Sequence, residues 1–144
     1  MATTGKKTLK LENLTWKRRV AGILELILGC YALYVAIMAF IHLQTATDAQ
    51  EELGYIITSY PMAILGTILT SGGILALFRR GFLLAVSGLI ILNLMGLGLL
   101  ISILTNLTDL SSSDVIPVIV IPGVIFGISI LATILLIQSN RDFN

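Results

Sequence analysis

The chain has 144 residues, of which 56% are hydrophobic and only 12% are charged, and its formal net charge is +1 at pH 7. Soluble domains carry about 25% charged residues, so this chain has too little polar surface to cover itself in water. Its length suits a single domain. The composition therefore excludes an ordinary soluble domain and indicates an integral membrane protein.

Four long stretches of the sequence contain no charged residue, namely 26–47, 53–78, 81–108 and 115–140. A helix needs about 20 apolar residues to cross ~30 Å of hydrocarbon. The first stretch is too long for a signal peptide, whose apolar core has roughly 7–15 residues. We therefore predict an all-α, up-down-up-down bundle of four transmembrane helices, near 20–43, 55–78, 82–104 and 115–137.

The basic residues are distributed asymmetrically between the ends of these helices. All nine lie before the first predicted helix, between the second and third, or after the fourth. The charged residues of the other two connections are all acidic. Lys and Arg near the ends of spanning helices stay on the cytoplasmic side. We predict a multi-pass protein of the cell membrane with both termini cytoplasmic. Residues 1–18 would form a basic cytoplasmic arm and residues 19–144 the four-helix transmembrane domain.

Small residues recur along the first two predicted helices in alternating steps of 3 and 4. Apolar side chains gain little by leaving lipid for protein, so membrane helices associate where small residues let their backbones approach. The alternation is typical of a left-handed pair that crosses near +20°. We expect the first two helices to pack along these rows. The first row is Gly22, Glu25, Gly29, Ala32, Ala36 and Ala39, and the second is Ser59, Ala63, Gly66, Thr70 and Gly73.

Glu25 is the one charged residue inside a predicted span, and it lies about 8 Å past the basic boundary at 1.5 Å per residue. It belongs to the row of small residues and not to the bulky face of Leu24, Ile27 and Leu28, which we expect to face lipid. We predict that it lies in the helix interface and meets a hydroxyl group, such as that of Thr70, through the space left by Gly73.

Three roles for Glu25 remain open at this point. It could form a hydrogen-bonded contact between helices, or it could be the proton or cation site of a transporter, because an intramembrane carboxylate is a functional hypothesis by default. In the third role its side chain would snorkel to the membrane boundary. The basic residues available there are Lys17, Arg18 and Arg19.

The other strongly polar side chain at depth is that of Asn93, near the middle of the third predicted helix. We expect it to hydrogen-bond across helices, with Thr67 as a partner at a similar level. His42 is the single histidine and Cys30 the single cysteine, so neither has the partner that a metal or haem site would need. We predict no catalytic residues, no bound metal, no cofactor and no enzymatic activity.

The basic arm and one loop suggest interactions outside the bundle. Because the arm adjoins a spanning helix, anionic lipid headgroups are a better partner for it than nucleic acid. Its residues Lys6, Lys7 and Lys10 would then make the chain a lipid-associated membrane organiser. Asn106 begins the tripeptide NLT in an outward loop and is a candidate glycosylation acceptor.

The chain resembles small four-helix membrane proteins of archaea and bacteria. The segments that carry this resemblance are AGILELILG, LGTILTSGGILALFRRGFLLAVSG and LLIQSNRDFN. It covers most of the chain and implies the four-helix fold without a particular activity.

The glutamate of the first helix also resembles that of the small multidrug resistance transporters, which binds protons and cationic drugs in a dimer. The chain departs from those transporters because its third helix has no tryptophan and because Tyr31 and Tyr34 are the only aromatic residues near Glu25 in the first helix.

Short loops and a bundle packed by small residues favour a non-enzymatic protein, an accessory or structural subunit or scaffold of a larger membrane complex. Its partners would be membrane lipids together with other membrane-protein subunits or further copies of the chain. A small proton-coupled transporter that uses Glu25 is the alternative hypothesis, and the lipid-associated organiser is the third.

Overall fold

The computed structural model describes residues 2–105, 119–140 and 143, with side chains from residue 15 onward. This part of the chain folds into four helices, α1 (Ala2–Leu43), α2 (Ala49–Leu77), α3 (Phe82–Thr105) and α4 (Ile121–Gln138). Each is long and apolar enough to cross a membrane. The predicted all-helical architecture, with four helices of spanning length and composition, is therefore confirmed.

Two helices begin earlier than their predicted spans. Helix α1 runs without a break from Ala2, so the predicted arm continues directly into the first span. Helix α2 begins at Ala49, with Asp48 at its N-cap and Glu51 and Glu52 in its first turn. Carboxylates are favoured there because the helix dipole places partial positive charge at the N-terminus. The predicted span began at residue 55, inside the stretch without charged residues, and so missed the first residues of α2.

Helix α4 is described from Ile121, and the predicted residues 115–118 of this span lie outside the described part. Pro122 occupies its first turn. A proline is well tolerated at that position because the N–H group it lacks would have no partner inside the helix. The C-terminal end of α4, at Gln138, agrees with the predicted end at residue 137 to within one residue.

The helices pack in a ring. Helix α1 makes its most extensive contact with α2, further contacts join α2 to α3, α3 to α4 and α4 to α1, and α1 barely touches α3. Neighbours are antiparallel: Gly22 lies opposite Gly73, and Leu33 lies opposite Gly66. Lys17 Nζ donates a 2.8 Å hydrogen bond to Gln138 Oε1, which joins α1 to α4. We call the end of the bundle that carries Lys17 the basic end, and the opposite end the acidic end.

The rows of small residues form the contact between α1 and α2. All six members of the α1 row are buried, and in the α2 row Ser59, Gly66 and Gly73 are buried while Ala63 and Thr70 are half-buried. A Cβ atom added at Gly73 would lie 2.8 Å from the carbonyl oxygen of Gly22, and one added at Gly29 would lie 2.7 Å from the amide nitrogen of Thr70. The two backbones are therefore in direct contact.

A tight turn links α2 to α3 at the basic end. Gly81 has φ +69° and Arg79 has φ +61°, so both adopt the left-handed conformation. Glycine adopts this conformation without steric cost, and at Gly81 the side chain of Leu75 fills the space where a Cβ would stand. The turn makes α2 and α3 antiparallel neighbours, as its short length predicts.

Arg18 of α1 is buried at the basic end, with 2% of its surface exposed. Its Nη1 atom donates to the carbonyl oxygens of Ala76 and Leu77, at 3.2 and 3.4 Å. These carbonyls belong to the last turn of α2, where a positive charge is favoured, and Ala76 O also accepts from the backbone N–H of Arg79 at 3.3 Å. Arg18 therefore caps α2 from the neighbouring helix.

We expect Arg18→Ala to lower the free energy of unfolding by about 1.5–3 kcal/mol, the usual contribution of hydrogen bonds that involve a charged group. The measurement is the unfolding midpoint in mixed detergent micelles titrated with sodium dodecyl sulfate. Arg19→Ala is the matched control, because Arg19 is the next residue and is exposed. An equal loss of unfolding free energy in the two variants would show that Arg18 acts only through its positive charge at the membrane boundary and not through its hydrogen bonds to α2.

Candidate functional site

The side chain of Glu25 is completely enclosed, with 0% of its surface exposed. A Cβ atom added at Gly72 of α2 would lie 2.5 Å from Glu25 Oε1, and one added at Gly88 of α3 would lie 3.6 Å from the same oxygen. The carboxyl group of α1 thus passes over Gly72 and reaches α3. Two glycines make the room for it where three helices meet.

The structure places Glu25 between helices, but the route that the sequence suggested for it is wrong. Gly73 faces the backbone of Gly22 and Leu26, and the carboxyl group passes over Gly72 instead. Thr70 lies against Gly29, and its Oγ1 donates to the carbonyl oxygen of Gly66 at 2.7 Å. Thr70 therefore belongs to the contact between α1 and α2 and not to the surroundings of the carboxyl group.

The predicted lipid face beside Glu25 also needs correction. Ile27 is exposed, as expected, but Leu28 is 3% exposed and belongs to the buried core, and Leu24 packs against that core. The reason is the ring of helices: α1 packs against α4 as well as α2, so a second face of α1 is buried. The spacing of small residues predicts the contact of α1 with α2 but does not reveal that α1 also packs against α4.

Neither carboxyl oxygen of Glu25 has a hydrogen-bond partner among the described residues. The basic side chains nearest in sequence are directed elsewhere: Lys17 donates to Gln138, Arg18 donates to the last carbonyls of α2, and Arg19 is exposed. A polar group buried without a hydrogen bond costs about 1–3 kcal/mol, judged from protein mutational data. Glu25 is therefore a costly feature of this interior.

Ser129 of α4 is a second buried polar group at a similar depth. It is 0% exposed, and its Oγ atom lacks a hydrogen-bond partner within the described part of the chain. Glu25 lies eight residues beyond Lys17 and Ser129 lies nine before Gln138, which puts them ~12 and ~13.5 Å from the contact that joins those two helices. The middle of the bundle thus contains a carboxyl group and a hydroxyl group at one level.

Asn93 of α3 bonds to α4. Its Nδ2 atom donates to Thr133 Oγ1 at 2.9 Å, and Thr133 Oγ1 donates to the carbonyl oxygen of Ser129 at 2.8 Å. The predicted partner Thr67 is wrong, because Thr67 is exposed and its hydroxyl group donates to Ala63 of its own helix. Thr67 was predicted only because it lies at a similar depth to Asn93. The face of α3 that carries Asn93 is turned towards α4.

We expect a double-mutant cycle of Asn93→Ala and Thr133→Val to give a coupling energy of about 0.6 kcal/mol, and at most about 1.7, the range found for hydrogen bonds between membrane helices. The free energies of unfolding of the two single variants and the double variant supply the measurement. Pairing Asn93→Ala with Thr67→Val is the control and should give no coupling. Coupling to Thr67 instead of Thr133 would contradict the structure.

A cavity of about 280 Å³ adjoins this level on the side of the acidic end. All four helices contribute to its wall, through residues such as Ala32, Met62, Leu92 and Ile125. Leu28 lines the cavity and lies one turn along α1 from Glu25. The carboxyl group is therefore close to the cavity but is not part of its wall.

The remaining candidate residues take no part in this arrangement. His42 stacks on Tyr55 with ring centroids 5.8 Å apart, and Cys30 is exposed on α1. The described residues contain no group of three or more His, Cys, Asp or Glu side chains that could hold a metal ion. Asn106 and the side chains of the arm, Lys6, Lys7 and Lys10, lie outside the described part, so glycosylation and lipid binding by the arm stay predictions.

Comparison with known proteins adds no assignment: no family model matches the chain, and no curated protein or solved structure matches it significantly. The two resemblances suggested by the sequence pattern stay predictions.

Proposed function

We propose that this chain is a non-enzymatic integral membrane protein that serves as an accessory or structural subunit of a larger membrane complex. The observation that carries the proposal is the complete enclosure of Glu25 between Gly72 and Gly88. A carboxyl group with no exposed surface suits a fixed position inside a closed bundle better than repeated contact with a substrate. The neighbouring cavity is lined by apolar groups, which fits the same interpretation.

The outer surface of the bundle supplies the means of association. Large apolar side chains are exposed on every helix, among them Ile37 in α1, Ile64 in α2, Leu94 in α3 and Val124 in α4. Membrane lipids cover such a surface, and helices of other subunits or of further copies can replace them. With the basic end on the cytoplasmic side, as the distribution of Lys and Arg favours, both termini of the chain are available to cytoplasmic partners.

The test is to tag the protein in its native host, extract it gently from the membrane and measure the mass and composition of what is recovered. We expect a large assembly with fixed partners. Glu25→Gln should preserve that assembly, because the amide keeps the size and shape of the carboxyl group. Recovery of the chain alone, as a monomer or homodimer, would contradict the proposal.

Proton-coupled transport is the second candidate function, and a specific observation favours it. Glu25 has no hydrogen-bond partner among the described residues and lies one turn from the cavity that all four helices line. A carboxyl group in such a position can exchange a proton if the bundle opens. Intramembrane carboxyl groups of this kind mark proton pathways in many transporters.

In this second case we expect Glu25→Gln to abolish proton-driven uptake of a cationic dye into vesicles while the protein stays folded. Glu52→Gln is the control, because Glu52 is exposed at the start of α2. A flux that is the same in Glu25→Gln and in the unmodified protein would eliminate the transporter. Circular dichroism of both variants in detergent checks that each one is folded.

A further inference from the structure

The apolar cavity that all four helices line lies near the middle of the membrane. On α1 it extends from Leu28 to Val35, and Leu28 is thirteen residues from the start of the span Thr15–Leu43 and fifteen from its end. At 1.5 Å per residue these distances are ~20 and ~22 Å, so the floor of the cavity is at mid-span. A ligand that reaches it must therefore be soluble in the hydrocarbon layer.

The wall of the cavity offers little to water. It is formed by aliphatic side chains together with methionine, phenylalanine, proline and glycine residues, and Tyr31 contributes an aromatic ring. A buried water needs two to four polar partners, whereas an apolar cavity of about 150 Å³ stays dry and accepts benzene. The volume here, about 280 Å³, is nearly twice as large. An apolar occupant of a space of this size gains dispersion contacts with the side chains of its wall.

The cavity is connected to the lipid-facing surface. Tyr31, Met95 and Leu99 line it and are also exposed on the outside of the bundle, whereas Leu28 and Ala32 line it and are buried. The surrounding medium at this depth consists of acyl chains, which are present at high concentration and are flexible enough to turn into a side opening. Neither carboxyl nor basic groups contribute to the described wall, so nothing in it selects a charged ligand.

We propose that this cavity binds the terminal part of an acyl chain of a membrane lipid, which enters from the bilayer at the exposed rim of the cavity. The chain fills the space between the helices at mid-membrane and supplies the packing that the side chains leave open. This inference goes beyond the proposed function, because it holds whether the bundle works alone or within a complex.

The test uses the full-length protein in phosphatidylcholine vesicles that contain a small fraction of phosphatidylcholine with a diazirine at the end of one acyl chain. After irradiation, mass spectrometry of peptides locates the attached lipid. We expect label on Leu28 and Ala32, which bulk lipid cannot reach, in addition to lipid-facing residues such as Ile27. Ile125→Phe, which fills the cavity, should cause a severalfold loss of label at Leu28 and Ala32.

Val124→Phe is the matched control, because it adds a ring of the same size on the neighbouring residue, which faces outward. Label at the buried positions should be unchanged in that variant. If Ile125→Phe does not fold, Leu92→Phe fills the same cavity from α3 and carries the same expectation. Label confined to lipid-facing residues, or label at Leu28 that survives filling of the cavity, would overturn the proposal. A cross-link between two copies of the chain in place of lipid would assign the cavity to a second copy and would also overturn it.

Discussion

Gly73→Ala is expected to lower the free energy of unfolding by about 1–3 kcal/mol, the usual cost of forcing an extra carbon into a packed interior. The added Cβ would lie 2.8 Å from the carbonyl oxygen of Gly22 and 2.9 Å from the amide nitrogen of Leu26. Both are backbone atoms, so no side-chain rotation relieves the clash and the two helices must move apart. Unfolding in mixed micelles titrated with sodium dodecyl sulfate measures the effect.

The control for this prediction is Gly127→Ala in α4. A Cβ atom added there meets nothing within 4 Å, so only the helix propensity changes, and alanine is favoured over glycine by about 1 kcal/mol in helix interiors. Stability should therefore stay the same or rise. If both variants lost the same stability, the close approach of α1 and α2 would not be the cause.

Glu25→Met is expected to raise the free energy of unfolding by about 1–3 kcal/mol, the cost of leaving a buried polar group without a hydrogen bond. Methionine is unbranched and of similar length, so it fits the space between Gly72 and Gly88. The substitution removes two oxygen atoms that have no partner among the described residues. The same unfolding titration provides the measurement, and Glu52→Met at the exposed start of α2 should change stability little.

A loss of stability in Glu25→Met would mean that the carboxyl group is held by an interaction, such as a bridging water shared with Ser129, that an apolar side chain cannot replace. A gain would show that the chain retains a destabilising residue in its interior. Proteins retain such residues where activity requires them, so a gain in stability together with a loss of assembly or flux would indicate that Glu25 has a function.

The sequence predicts the four long apolar helices well because a bilayer imposes strong constraints on the segments that cross it. A spanning helix must be long and free of charge, so the runs without charged residues locate all four helices. The rows of small residues likewise predict which faces of α1 and α2 meet, since small residues such as glycine, alanine, serine and threonine let the backbones approach closely. The burial of Glu25 follows from its place in the first row.

The sequence fails where a residue has a choice between two neighbouring helices. With 3.6 residues per turn, the adjacent residues Gly72 and Gly73 point about 100° apart, so they face different helices. Gly73 faces α1, while Gly72 makes room for Glu25 beside α3. Of these two glycines, only Gly73 belongs to the row of small residues in α2. A pattern that describes one pair of helices therefore assigned the carboxyl group to the wrong glycine. The wrong partner for Asn93 and the wrong exposure of Leu28 have the same origin.

The enclosure of Glu25 by residues of later helices has a consequence for how the protein is made. Synthesis proceeds from the N-terminus, and Gly88 follows Glu25 by 63 residues, which takes about 3–13 s at 5–20 residues per second. A charged residue at the centre of a spanning helix costs ~2.5–3.5 kcal/mol when lipid is its only solvent, and Glu25, about 8 Å from the basic boundary, costs less than this. Helix α1 therefore enters the membrane with part of this cost uncompensated, and the enclosure of the carboxyl group is complete only when α3 arrives.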